Sequence, residues 1–425
     1  MNTNFINRKL FAETSRIILG CVFVFSGLVK SVDVYGTAYK VTEYLSSFHL
    51  SAISELATPI SFFLCGFEFF LGLVLLLGTM IKLTSRLALI TMSFMTLLTL
   101  YIAVFDPVGD CGCFGDAFVL SNWQTFYKNI LLLAAAICLT AYSNKITPLF
   151  NRRMQLISSI WLAIAISVFL AYNYLYDPVL DFRPFHVGAN IPEKMEIDED
   201  KAQITELTYI YEKDGVRQNF SEKDIPWQDS TWIYVDTQEK IVRPGLTEPE
   251  IPVFEIERID FDEDNKVIGR SDVTDDVLDD DGYIFLLIAP SLTELDDEGI
   301  AGINMAAEYA QKNNVPVYFM TSSNEDDLLK VKERLSSNLI LSFGDGIVLK
   351  TIVRSHPGLL ILKEGTILAK WSRRSMPDKE RYNMSLTALI AQSPASPDMT
   401  KLAIFIIVLM APLIGLKIYE YKTKR

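Results

Sequence analysis

Long apolar runs, almost free of charge, dominate the pattern of the chain at approximately 14–33, 55–78, 86–106, 124–143, 154–175 and 400–418. A hydrocarbon core of ~30 Å needs roughly 20 such residues per helix, so each run predicts a membrane-spanning helix. The sixth is the shortest and contains Pro412, yet Leu402 to Leu416 carries no charge. Basic residues mark every second connection. Arg8, Lys9 and Arg16 precede the first run, Lys82 and Arg86 follow the second, Lys145, Arg152 and Arg153 follow the fourth, and Lys417, Lys422, Lys424 and Arg425 close the chain. Lys and Arg accumulate in short cytoplasmic loops. Both termini are therefore expected inside, and the segments 34–54, 107–123 and 176–399 outside, in a bacterial inner membrane. The first run is expected to be a retained helix rather than a signal peptide. It is long, lacks an A-x-A cleavage pattern and continues into Gly27-Leu-Val-Lys-Ser-Val-Asp33.

The pattern between the fifth and sixth runs is different. Thr208-Tyr-Ile-Tyr211 and Trp232-Ile-Tyr-Val235 read as short strands, with Glu-Lys-Asp-Gly215 as a hairpin turn. The acidic run Asp272 to Asp281 reads as a solvated connector. Tyr283-Ile-Phe-Leu-Leu-Ile-Ala289 is the continuous apolar run of a strand buried on both faces. A helix over 296–313, a second buried strand over 315–320 and a helix over 326–335 follow. Leu359-Leu-Ile-Leu362 and Thr366-Ile-Leu-Ala-Lys-Trp371 form a hairpin across Lys363-Glu-Gly365, and a last helix is expected over 377–391. Ser393-Pro-Ala-Ser-Pro397 then links to the sixth span.

Charge sharpens this division. The chain has 425 residues and a net charge of −13, and 43 of its 52 acidic residues fall between Asp177 and Asp398. A mildly basic membrane part therefore carries an acidic soluble part, and an acidic surface excludes nucleic acid as a partner. None of the five cysteines (Cys21, Cys65, Cys111, Cys113, Cys138) lies in that soluble part, so it is not a disulfide scaffold. His49, His186 and His356 have no metal-ligand spacing, and no metal is expected.

The most informative motif is Asp106-Pro-Val-Gly-Asp-Cys111-Gly-Cys113-Phe-Gly-Asp116, in the outward loop after the third span. Two cysteines one residue apart, facing an oxidising compartment, point to thiol–disulfide chemistry. A disulfide closed across a single residue is a small ring that tends to be catalytic or labile. The alternative is a pair of stray thiols or a weak metal clip. Cys21, Cys65 and Cys138 lie within spans and read as packing groups, with Cys21 and Cys138 in the inner half of the membrane. Glu68 sits inside the second span, where a carboxylate must be paired or neutral, and is expected to face the bundle interior. Lys30 is its candidate partner. In the alternative, Lys30 reaches to the interface and Glu68 is a neutral hydrogen bonder. Gly27, Gly66 and Gly72 permit close helix contact.

The order Phe25-Ser-Gly27 and Lys30, then Glu68 and Gly72, then Cys-Gly-Cys-Phe-Gly, then Thr125-Phe-Tyr-Lys-Asn129 resembles the MauE/DoxX-like family over roughly residues 10–145. These are redox-associated four-helix membrane proteins. The resemblance implies thiol–disulfide handling, or maturation of exported proteins, carried by Cys111 and Cys113. Bundles of the DsbB and vitamin K epoxide reductase type are a further analogy that makes a quinone a possible cofactor. This chain departs from them in lacking a second outward cysteine pair.

Residues 250–392 resemble the thioredoxin fold, with Pro357 in Arg354-Ser-His-Pro357-Gly358 at the place of the family's cis-proline. The place of the redox Cys-x-x-Cys reads Ala289-Pro-Ser-Leu292, so this domain exchanges no disulfides itself. What the resemblance leaves is a groove beside Pro357 and His356 for an extended client peptide.

The fold class expected is thus an α-helical membrane bundle with an α/β thioredoxin-like periplasmic domain. Its parts are a four-helix DoxX/MauE-like bundle (1–150), a fifth transmembrane helix (151–176), a periplasmic β-rich acidic segment (177–281), the thioredoxin-like domain (282–393) and a sixth helix (399–419). The expected function is thiol–disulfide exchange or maturation of periplasmic or outer-membrane client proteins. A non-enzymatic scaffold or chaperone is the alternative, and transport through the bundle, motivated only by Glu68, is a third reading.

Overall fold

The computed structural model describes residues 3–118, 120–227, 229–243, 245–262, 266–394 and 399–423. Most of the linker expected at 393–397, and the basic residues Lys424 and Arg425, lie outside the described residues. Among the described residues, six helices are long and apolar enough to cross a membrane: α1 (Thr3–Val32), α3 (Ala57–Leu76), α4 (Ile81–Phe105), α5 (Asn122–Tyr142), α6 (Arg152–Leu175) and α13 (Met399–Thr423). They match the six apolar runs, and the last continues through Pro412. The chain is a multi-pass membrane protein carrying an α/β domain.

α1 and α3 pack backbone to backbone. A Cβ added at Gly27 would lie 2.3 Å from the Phe69 nitrogen, and one at Gly72 would lie 2.5 Å from the Val24 nitrogen. Small residues at a crossing let two membrane helices approach this closely. The segment expected as a plain loop at 34–54 contains a helix, α2 (Val34–Ser47), started by Asp33, whose carboxylate accepts from the Gly36 N–H at 2.9 Å. A 3-10 turn (Ser51–Leu56) leads from it into α3.

Beyond α6, a short helix α7 (Ile191–Met195) precedes β1 (Ile204–Lys213), β2 (Val216–Ser221) and β3 (Ile233–Arg243), which form a three-stranded sheet in the order β2-β1-β3. The β1–β2 turn is Asp214-Gly215, both with positive φ, as a two-residue hairpin requires. The second sheet uses β4 (Glu257–Phe261), β5 (Val267–Asp272), β6 (Ile284–Ile288), β7 (Val317–Thr321), β8 (Ile340–Phe343), β9 (Gly358–Lys363) and β10 (Thr366–Ser372), ordered β10-β9-β6-β7-β8-β4-β5. β6, β7 and β8 are parallel, and β9 and β4 run antiparallel to their inner neighbours. Strands therefore join this sheet from both sides of the 281/282 division.

The sheet is covered on both faces, which is why β6 has no polar position. Phe285 and Leu287 enter one core with α9 (Asp297–Lys312), while Ile284, Leu286 and Ile288 enter the other with α8 (Thr274–Leu278) and α11 (Gly346–Ile352). Each such side chain contributes roughly 1.5–3 kcal/mol on burial. α8 corrects the expectation of a solvated connector at 272–281. Asp272 accepts from the Thr274 N–H and hydroxyl, and Val277 and Leu278 are buried. Acidity masks these two apolar anchors. The expected helix over 377–391 is also shorter. Pro377 and a 3-10 turn (Arg381–Asn383) interrupt it, and only α12 (Leu386–Ala391), capped by Ser385, is regular. α10 (Glu325–Lys332) falls within the helix expected at 326–335.

Candidate functional site

The Cys111-Gly-Cys113 loop closes the end of the bundle that faces the α/β domain. It leaves α4 at Asp106, a left-handed residue (φ 46°) whose carboxylate accepts from Asn122 at 2.7 Å. It re-enters the bundle through a capping box of Ser121 and Gln124 at the start of α5. Gly112 has φ +63°, and a Cβ there would lie 2.9 Å from Lys40 Cγ, so both its conformation and its neighbour require glycine.

Three helices hold this loop by its backbone and its flanks. From α1, the Ser26 hydroxyl lies 2.7 Å from the Cys113 carbonyl oxygen. From α2, the Tyr44 hydroxyl donates to the Cys111 carbonyl at 2.9 Å. Lys40, also on α2, pairs at 2.6 Å with Asp110, whose carboxylate accepts the Gly112 N–H. From α5, Lys128 stands over the Phe114 ring at 4.1 Å, and that ring meets Phe25 edge-on.

The cysteines are unlike one another. Their sulfurs lie 2.6 Å apart, with Cys111 half-buried and Cys113 buried. The two sulfurs are in direct contact, and the Cys113 backbone N–H donates to the Cys111 sulfur at 3.3 Å. The contact with Cys113, reinforced by that N–H and by Lys128, outweighs burial and brings the Cys111 thiol down to about 6. The same contact and burial hold the Cys113 thiol well above its ordinary value. The arrangement sets one more accessible sulfur beside one covered sulfur.

Glu68 and Lys30 meet directly beneath this loop. The Lys30 ammonium donates to both Glu68 oxygens at 2.9 Å, and the Ser26 hydroxyl lies 2.7 Å from Glu68 Oε2. The two side chains are thus paired and buried in the bundle interior. Ser26 connects that pair to the cysteine loop, a connection that sequence reasoning missed along with Tyr44, Lys40 and Asp110. Cys65 is buried one turn from Glu68, Cys138 is half-buried and Cys21 is exposed, all unbridged.

His356 and Pro357 fall elsewhere. Their peptide bond is cis. The His356 ring accepts from the Ser291 N–H at 3.3 Å, and burial lowers its affinity for a proton. His356, Arg354 and Lys370 form one wall of a cavity of about 300 Å³, and Asp33, Tyr35 and Tyr174 of the bundle form the other. Arg354 bonds Asp33 and reaches Asp116 at 3.8 Å, joining this cavity to the cysteine loop.

A strap after α6 fixes the domain to the bundle. Asp177 accepts from the Ser372 N–H at 2.9 Å and from Ser375, and Asp181 pairs with Arg183 and Lys370. Burial and Arg183, opposed by Asp181, bring the Lys370 ammonium down to about 8.

A polytopic bundle with a cysteine pair on its domain side defines a class, and one family model agrees with it over part of the chain. Residues 8–142 match the family model described as Methylamine utilisation protein MauE. Residues 205–244, the three-stranded sheet, match a model described as Domain of unknown function (DUF8463). No curated protein and no solved structure matches the chain.

Proposed function

We propose that this chain is a bacterial inner-membrane protein that exchanges disulfides with exported client proteins through Cys111 and Cys113. The observation that carries the reading is the Cys111–Cys113 pair at the mouth of the bundle, its sulfurs in contact, one half-buried and the other covered. The match to MauE over 8–142 supports a role in maturing redox-related proteins. The basic residues Lys82, Arg86, Lys145, Arg152 and Arg153 lie at the helix ends and turn away from the α/β domain, which supports a periplasmic domain. The strand order β7-β6-β9-β10, with β6 and β7 parallel and β9 antiparallel to β6, supports the thioredoxin-like reading of that domain. It serves as a client-binding module.

The exchange runs in two steps. A client thiolate attacks Cys111 Sγ of the Cys111–Cys113 disulfide, forming a client–Cys111 disulfide and releasing Cys113 as a thiolate that takes up a proton. The second client thiolate then attacks the client sulfur of that bond, closing the client disulfide and releasing Cys111. Two electrons pass from client to pair, and the client's two protons are released to the site or to water. Run backwards, the same steps reduce a client disulfide.

Differential alkylation in native membranes under graded redox buffers tests this. A reversible disulfide with a midpoint between roughly −120 and −270 mV, the range of dedicated oxidoreductases, is expected. Thiols that never pair would leave the protein as a membrane scaffold or chaperone.

A further inference from the structure

Resting on the exchange proposed above, we propose that Thr125 belongs to the exchange site: its hydroxyl donates a hydrogen bond to the Cys111 sulfur each time that sulfur takes the electron pair of a breaking disulfide.

The first observation is an unspent donor. Thr125, on the first turn of α5, is fully buried, and its hydroxyl has no hydrogen-bond partner among the described residues. Elsewhere in the bundle Thr96, Thr99 and Thr140 place their hydroxyls on the carbonyl four residues back, at 2.6, 2.8 and 2.8 Å. The equivalent carbonyl for Thr125 belongs to Ser121 and accepts the Thr125 N–H, at 2.9 Å. A buried hydroxyl left without a partner is uncommon and calls for a cause.

The second observation is where that hydroxyl sits. Thr125 lines a cavity of about 10 Å³ together with Asp110, Cys111, Gly112, Cys113 and Phe114. Such a space is at the lower limit for a single water, so the neighbours available in it are those of the cysteine loop. Asp110 is already committed to Lys40 and to the Gly112 N–H. The Cys113 N–H donates to the Cys111 sulfur at 3.3 Å, and Thr125 and Lys128 both favour negative charge on that sulfur. Thr125 thus stands near the sulfur without a formed bond to it, and a small turn of either side chain completes the bond. Ser31, Thr79 and Ser159 also carry unpartnered hydroxyls, but they do not line this cavity.

The chemistry supplies the occasion. In the second step of the exchange a client thiolate attacks the client sulfur, the client–Cys111 bond breaks, and its electron pair moves to Cys111 Sγ. That sulfur is then an anion whatever its resting protonation, because thiol–disulfide exchange expels a thiolate. The Cys113 N–H and the Thr125 hydroxyl both donate to it, and Thr125 keeps its proton. Donors already in place where charge develops lower the barrier. In the reverse direction the same two donors hold Cys111 as it attacks.

The test follows alkylation of Cys111 by iodoacetamide in the reduced, purified full-length protein, read by mass over a pH series that spans the ordinary thiol value of about 8.5. The charged and titratable groups around Cys111 are Cys113 and Asp110 of the loop, the Lys30–Glu68 pair of α1 and α3, Lys40 and Tyr44 of α2, and Lys128 of α5. All are unchanged in the variants. Thr125→Val keeps the side chain's shape and removes the donor. Its Cys111 rate should fall about tenfold on the acid side of the inflection, as for a lost hydrogen bond to a charged group, and meet the wild-type rate on the alkaline side. Thr125→Ser should restore the wild-type profile. The melting temperature of Thr125→Val in detergent should not fall, since the hydroxyl it removes has no partner to lose. Should Thr125→Val fail to fold, Thr125→Ala gives the same reading. A valine profile that overlies the wild type, one lowered by the same factor at every pH, or a serine profile that matches valine overturns the proposal while the exchange reading stands. A cysteine pair that no redox buffer converts to a disulfide overturns both.

Discussion

Arg354, in the loop before β9, closes on Asp33 at the tip of α1, its Nε and Nη2 donating to the carboxylate at 3.1 and 2.7 Å. Burial acts to raise the Asp33 carboxyl, and the Arg354 and Arg183 guanidiniums override it, so the group is held below its ordinary value. One ion pair thus joins a residue of the membrane bundle to one 321 positions away in the domain.

Arg354→Ala should loosen this junction. The side chains are 14% and 22% exposed, so the loss is expected at roughly 2–3 kcal/mol, below the 3–5 of a fully buried pair. Hydrogen exchange in α2 and the 107–121 loop should accelerate, while exchange in the core strands β6 and β7 should not. Because the Asp33 contribution exists only while the carboxylate is ionised, the difference between wild type and variant should begin to shrink below the ordinary aspartate value of about 3.9 and vanish only once the pH falls through the lower value of the folded state.

The two thiols should separate in a pH series of alkylation rates on the reduced protein. Cys111 should rise through about pH 6 and level off, whereas Cys113 should still be rising above the ordinary thiol range. Cys113→Ser should trap a client on Cys111 as a mixed disulfide, and Cys111→Ser should trap none. Equal rates for both cysteines would sink the assignment of roles.

Glycine substitutions offer a graded test of the packing. Gly27→Ala forces a Cβ to within 2.3 Å of the α3 backbone and should cost several kcal/mol of bundle stability, read as a lower melting temperature in detergent. Gly112→Ala should cost roughly 1–2 kcal/mol locally, from its left-handed φ, and disturb the cysteine loop rather than the helices. Gly109→Ala, with nothing within 4 Å, should be neutral.

Lys370 gives a pH signature in the domain. Its ammonium titrates near 8 when folded and at about 10.4 unfolded, so between those values the unfolded state binds the extra proton. Stability should therefore gain a rising contribution from pH 8 to about 10.4, on the order of 3 kcal/mol when complete. Lys370→Met should lose that rise in denaturant titrations, since its side chain does not titrate.

The features legible in the sequence were those whose signal is local. Six apolar runs, the Cys-Gly-Cys motif and the Lys363-Glu-Gly365 turn each announce themselves within a few residues. The Lys30–Glu68 pair was readable because an ion inside a span demands a partner. Ser26, Tyr44 and Lys40 carry no such demand, since serine, tyrosine and lysine near a helix end are ordinary. Their roles arise from a loop some 70 to 90 positions away folding back on them. β8 was missed because Ile340–Phe343 is four residues long and its pairing with β4 is non-local. The acidic stretch at 272–281 misled because net charge concealed Val277 and Leu278.

The strap from Asp177 to Arg183 has a consequence for traffic at the mouth. It grips the last strand of the sheet while Arg354 grips the bundle. Held at two places, the domain is a fixed canopy rather than a swinging arm. Any chain that exchanges with Cys111, as proposed above, would have to approach past this double junction.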